Sequence, residues 1–100
     1  MGGYTMKKLK EIKVITAKEK IQHYIQYREI YGSLLLLFRV GNWYEAYAED
    51  AQEVANTLNI VVTEQDGLQM AVFPHQALDT YLPRLIRAGH RIAICDLLDQ

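Results

Sequence analysis

Little in this chain could staple, cut or anchor a fold. Cys95 is its single cysteine, which excludes an internal disulfide framework and fits a reducing compartment. The longest apolar run, Leu34 to Phe38, is far short of the ~20 residues that cross a bilayer. The N-terminus carries lysines without the apolar stretch of a signal peptide. These absences point to a cytoplasmic protein with no membrane partner. No Gly-x-x-x-x-Gly-Lys-Ser/Thr loop is present, so the chain holds no evident site for nucleotide phosphates. His23, His75 and His90 stand apart from one another and from Cys95, without the spacing of a metal site. Glu45, Glu49 and Asp50 are carboxylates, yet no lysine follows Lys20, so the lysine and carboxylate cluster of a metal-dependent nuclease is missing. No catalysis, no metal and no cofactor is expected.

Two prolines and six glycines in 100 residues leave room for one compact domain with short connections. At this size folding hides about 60–65% of the unfolded surface. Half the residues are hydrophobic and 23% are charged, a globular rather than a disordered balance. The net charge of −1 provides no global field to attract nucleic acid. Its distribution is uneven, however. Residues 1–20 hold six lysines against two glutamates, a balance of +4. Residues 41–66 hold Glu45, Glu49, Asp50, Glu53, Glu64 and Asp66 with no basic residue, a balance of −6. Residues 1–18 therefore read as a basic N-terminal arm, and residues 19–100 as the folded domain.

Within the arm, Ile12 to Thr16 suits a short strand, while Leu9 and Ile12 suit a helical turn; both stay open. From Ala17 to Tyr31, Ile21, Tyr24, Ile25 and Ile30 repeat with the spacing of an amphipathic helix, which Gly32 closes. The leucine run that follows is apolar without alternation, which implies a strand buried on both faces. Gly41-Asn42 is a turn dipeptide, so Trp43 to Tyr47 should return as an antiparallel partner. A helix is expected over Ala48–Leu58, with Ala51, Val54, Ala55 and Leu58 on one stripe. Ile60 to Thr63 reads as a β-branched strand, turned at Gln65-Asp66-Gly67 into a partner from Leu68 to Phe73. Pro83 is poorly placed inside a helix, so a turn at His75–Leu78, a break near Asp79-Thr80 and then a helix to Ala88 are expected. Ile92 to Cys95 reads as a final buried strand, with Cys95 a core residue. The fold class is α/β: a compact single domain with a mixed sheet flanked by about three helices.

The segment Leu34 to Glu45 is the most informative. Beyond its turn stand Trp43 and Glu45, two positions apart, which an extended strand projects from one face. A flat apolar ring beside a hydrogen-bond acceptor can stack on a base and grip its polar edge. The same pair also suits a core tryptophan next to a solvated glutamate.

The run Leu36-Leu37-Phe38-Arg39-Val40-Gly41-Asn42-Trp43-Tyr44-Glu45 resembles the Leu-Phe-Arg-Met/Val-Gly-Asp-Phe-Tyr-Glu pattern of the MutS DNA mismatch-repair family, in its N-terminal mismatch-recognition domain. The likeness continues through Glu49-Asp50-Ala51, Leu58-Asn59-Ile60 and Thr63, then from Phe73 to Pro83 and from Ala88 to Asp96. In that family the aromatic wedges in from the minor groove and stacks on a mispaired base, and the glutamate accepts a hydrogen bond from it. The resemblance therefore implies Trp43 as the stacking residue, Glu45 as the base-edge acceptor and mismatched double-stranded DNA as partner. An inserted wedge replaces lost base stacking and exploits the softness of a mismatched step. Affinity must come from phosphates, for which Arg39, Arg84 and Arg87 are the candidates, so binding in isolation should be weak. The family's clamp and ATPase are not in this chain, which is expected to be a fragment of a longer protein or a stand-alone relative. Trp43 stands where the family has phenylalanine, Asn42 where it has aspartate and Val72 where it has glycine. Glu64-Gln65-Asp66 replaces the family's basic residues. The acidic departures suggest an alternative: a non-enzymatic interaction domain that keeps the fold, has lost mismatch binding, and meets a protein or its own copy.

Overall fold

The fold is seen in a computed structural model that describes residues 14–96. The basic residues of the arm up to Lys13, and the alternatives of strand or helical turn around Leu9 and Ile12, lie outside the described residues. Val14 to Thr16 form no strand; Thr16 instead caps the first helix, α1 (Ala17–Tyr31). The cap is reciprocal. The Glu19 amide donates to Thr16 Oγ1 at 3.2 Å and the Thr16 amide donates to Glu19 Oε1 at 2.9 Å, so two otherwise orphaned donors are satisfied. Gly32 ends the helix at φ 59°, a conformation that an L side chain resists.

The leucine run becomes β1 (Leu35–Val40), which turns at Gly41-Asn42 into β2 (Trp43–Tyr47). Gly41 sits at φ 62°, which is why a glycine opens that turn. α2 (Glu49–Leu58) follows and ends at Asn59 in the left-handed region. Then come β3 (Thr63–Gln65) and β4 (Leu68–Pro74), a short 3-10 turn (His75–Ala77), α3 (Leu78–Arg87) and β5 (Ile92–Asp96). The five strands form one sheet in the order β3-β4-β2-β1-β5. Only the β1–β5 pair is parallel, so the sheet is mixed and the α/β expectation holds.

Both faces of the sheet are covered, which explains the unbroken apolarity of β1. Leu35 and Leu37 join Tyr44, Ala46, Ala71 and Phe73 under the α2 stripe of Ala51, Val54, Ala55 and Leu58 and under Leu85 of α3. Leu36 and Phe38 point the other way, with Tyr47, Leu68 and Cys95, towards Ala17, Tyr24 and Tyr27 of α1. Cys95 is buried, and that burial pushes its thiol pKa up, away from reactivity.

Four expectations need correction. α1 forms where expected, but Ile21, Ile25 and Ile30 face outward, at 38%, 57% and 61% exposure. The inward stripe is instead Ala17 and Lys20, which are buried, with half-buried Tyr24 and Tyr27 packed against the same cluster and Tyr27 stacked on Phe38. The β-branched run Ile60 to Val62 precedes its strand, and β3 begins only at Thr63; Ile60 and Val62 pack against the α2 side of the core while Val61 between them is exposed. Pro83 lies inside α3, which runs through Asp79-Thr80 without a break. At the sixth helical position its missing amide forfeits one bond, while an apolar stripe around buried Leu85 holds the rest. β5 is an edge strand, and its Ile94 is 49% exposed rather than buried.

Candidate nucleic-acid interface

The β1–β2 hairpin decides where Trp43 goes. Trp43 pairs with Val40 on one side and with Pro74 on the other, so it begins a strand held from both flanks. The turn itself is pinned, since the His75 amide donates to the Asn42 carbonyl at 2.9 Å. Side chains alternate along β2, so Tyr44 enters the core against Phe73 while Trp43 stays on the opposite face at the rim. Trp43 is 47% exposed, whereas the other four β2 residues are buried. This is a large flat ring on a rigid mount.

Glu45 shares the face of Trp43 but lies deeper, at 7% exposure. Its Oε1 meets Lys20 Nζ at 2.9 Å and accepts from the Tyr47 hydroxyl at 2.9 Å. Lys20 comes from α1, whose first turns cross this end of the sheet. Its ammonium also donates to Gln65 Oε1 at 2.7 Å and lies 3.8 Å from Met70 Sδ. The network is dry: the side chains of Lys20 and Glu45 are 6% and 9% exposed. Among the described residues no buried side-chain nitrogen or oxygen lacks a partner, as a low-dielectric interior requires.

Burial, then the neighbouring charge of Glu45 and the hydrogen bond to it, push the Tyr47 phenol well above its ordinary value of 10. The linkage sign is therefore definite. The contribution of Tyr47 to stability is whole below pH 10 and is lost as pH rises beyond it, because the unfolded phenol ionises while the folded one does not. Stability should fall by about 1.4 kcal/mol per pH unit in that range from this group. Tyr47→Phe should flatten the alkaline limb in urea titrations run from pH 9 to 11; an unaltered slope would contradict the assignment.

The candidate basic residues separate into two places. Arg39 belongs to the hairpin: its Nε donates to the Gly41 carbonyl at 2.6 Å and its guanidinium lies 5.6 Å from the Tyr44 ring centre. It braces the turn that carries Trp43. Arg84 donates to the Thr57 carbonyl at 3.3 Å and covers the Tyr81 ring, so it ties α3 to α2. Arg87 is exposed at the end of α3. The next strand enters the sheet at Ile92 beside Leu35, whereas Trp43 pairs with Val40 at the other end of β1. Arg84 and Arg87 are thus not gathered around the tryptophan.

The acidic segment is compensated from outside itself. Lys20 meets Glu45, Arg28 meets Asp50, and His90 lies 3.8 Å from Glu53. A cleft of about 580 Å³ between the end of α1 and the start of α2 is lined by Arg28, Glu49, Asp50 and Glu53 among others; its excess of carboxylates is wrong for phosphate. Among the described residues no group of three or more His, Cys, Asp and Glu could hold a metal ion, and no helix is long and apolar enough to cross a membrane.

Sequence reasoning missed Lys20, which it counted with the solvated basic residues of the N-terminus. The signal was there in the spacing: Ala17, Lys20, Tyr24 and Tyr27 fall three and four apart, so one stripe contains them all.

A mixed sheet with helices on both faces, presenting one aromatic from a braced hairpin rim, defines a compact α/β domain. The chain belongs to the MutS domain I family, whose family model matches residues 18–100. The DNA mismatch repair protein MutS of Thermotoga neapolitana is 44% identical over 80 residues, covering 80% of this chain and 10% of that protein. MutS of Christiangramia forsetii is 46% identical over 83 residues, covering 79% and 10%. MutS of Porphyromonas gingivalis is 44% identical over 84 residues, covering 79% and 9%. The chain spans about a tenth of the length of these curated relatives.

Proposed function

We propose that this chain is a DNA-binding module that recognises mismatched duplex by stacking Trp43 on a mispaired base, with Glu45 accepting a hydrogen bond from that base. The observation that carries the reading is the placement of Trp43: half exposed, on a hairpin tied to strands on both sides, in the family's wedge position. A mismatched step bends and unstacks at lower cost than a paired one, so a rigid ring at a rim gains more there. The reading assigns no reaction to the chain and takes it to work in the cytoplasm.

Stacking supplies about 1–3 kcal/mol, less than is needed to bend duplex and hold it. Phosphate contacts must provide the remainder, and of the three candidates only Arg39 lies on the hairpin that carries Trp43. The isolated chain should therefore bind with a Kd on the order of 10⁻⁴ M at physiological salt.

Trp43 is the sole tryptophan, so its emission reports directly on the wedge. Titration with a duplex carrying one G·T mismatch should quench that emission at low salt, and the fully paired duplex should do so less. Equal quenching by both, or none at high micromolar DNA, would remove the reading for the isolated chain.

A second reading, an interaction domain that meets a protein or its own copy, draws on exposed Ile86 and Ile94 at 57% and 49%. It also draws on the exposed carboxylates Glu49, Glu53, Glu64 and Asp66. Sedimentation that shows self-association, together with absent quenching, would favour it.

A further inference from the structure

Glu45 Oε1 cannot serve a base while it is held inside the protein. Both contacts described above fall on the same oxygen, Oε1: the Lys20 ammonium at 2.9 Å and the Tyr47 hydroxyl at 2.9 Å. The ammonium is itself fixed by Gln65 Oε1 at 2.7 Å, so it is held over the carboxylate rather than swinging free. At 5% exposure for Lys20 and 7% for Glu45, water does not weaken the attraction. A base edge approaching beside Trp43 must compete with a charged donor already in place, and a neutral base N–H is the weaker partner. Trp43 needs no such rearrangement, because its ring is already outside.

We infer that Lys20 is the specificity-determining residue of this interface: with Tyr47, it withholds Glu45 Oε1 from the base, so that the unaltered chain prefers a mismatch only through the ease with which Trp43 unstacks it, and the further preference from a base-edge bond appears when Lys20 is displaced. This rests on the proposed wedge function. It separates two properties that the hairpin motif alone would join. Stacking is tolerant of base identity because every base has a π-face, whereas selectivity requires a hydrogen bond to the polar edge. Here the first is available and the second is held back by an α1 side chain that lies outside the hairpin motif.

The test measures the affinity of the full chain for one duplex with a single G·T mismatch and for its fully paired counterpart, at one low salt concentration. Both Trp43 emission and the anisotropy of labelled DNA are read. Lys20→Met keeps an unbranched chain one atom shorter and removes its charge. It should raise the ratio of mismatched to paired affinity about tenfold, the scale of one hydrogen bond to a charged group. Adding Glu45→Ala to Lys20→Met should return the ratio to its starting value. Tyr47→Phe leaves the ring packing intact and frees part of Oε1, so it should raise the ratio by a smaller factor; it decides the matter if Lys20→Met does not fold. Quenching that persists with an unmoved or lowered ratio in these variants overturns the inference and leaves the wedge standing. Absent quenching in the unaltered chain overturns the wedge, and the inference with it.

Discussion

Asp50→Ala is expected to destabilise the domain by about 2–4 kcal/mol, the largest effect of any single substitution away from the apolar core. Asp50 is the second residue of α2, 8% exposed, and one oxygen, Oδ2, serves two donors. The Leu36 amide donates to it at 3.0 Å, and the Arg28 guanidinium closes on it. The position explains the need. The paired register of β1 and β2 ends at Phe38 and Glu45, so the Leu36 amide, second in β1, takes its partner from a side chain instead of a strand. Burial pushes the Asp50 carboxyl up, against the opposing pull of the Leu36 amide and Arg28. Alanine would strand the amide in an apolar interior and remove the partner of Arg28, which also donates to the carbonyls of Gly32 and Leu34 at 2.6 Å each. For a domain of this size the melting temperature should fall by roughly 10–25 °C. Asp50→Asn keeps an acceptor for the amide and should cost less. Circular dichroism melts decide it: an alanine variant within about 0.5 kcal/mol of the parent would show that these buried bonds are dispensable.

Trp43→Ala should act in the opposite way, weakening binding while barely altering stability. Nearly half of the side chain is already in water, so little burial is lost on truncation. If the ring stacks on an unpaired base, its removal costs about 1–3 kcal/mol of mismatch affinity, or roughly 5-fold to 150-fold. Affinity for paired DNA should change much less, because phosphate contacts do not involve the ring. Trp43→Phe, which restores the family's residue, should keep the preference for the mismatch. The variants lack the tryptophan signal, so anisotropy of labelled DNA is the measurement. An alanine variant that still prefers the mismatched duplex would place the recognition elsewhere on the surface.

The contrast between these two residues shows which parts of the structure could be read from the chain. The hairpin was legible because its cues are local: a β-permissive apolar run, a turn dipeptide and a family motif within twelve residues. The two-sided burial of β1 was legible from its lack of alternation. The exposure of Trp43 was not legible, since a ring at the start of β2 is covered or bare depending on how far α1 extends across the sheet. Nor was the engagement of Glu45. A sequence shows a lysine in a basic stretch; only the turn-by-turn rotation of α1 against the sheet carries that ammonium under the helix to a carboxylate twenty-five positions away. The outward-facing Ile21, Ile25 and Ile30 follow from the same rotation, because a helix with apolar residues on more than one side does not announce which side will be buried. The unbroken α3 has a tertiary cause as well: packing around Leu85 offsets the one bond that Pro83 forgoes.

Taken alone, the order of residues determined the strands and helices bounded by caps and turns, the mixed α/β class and membership of the MutS domain I family. Each of these is written in neighbours a few positions apart, where hydrogen bonding and side-chain spacing act directly. Tertiary structure alone decided which charges are spent inside the protein and which surface is left to meet a partner. Those outcomes depend on groups distant in the chain competing for the same dry space, with Lys20 and Arg28 satisfying carboxylates that the acidic segment could not satisfy from within.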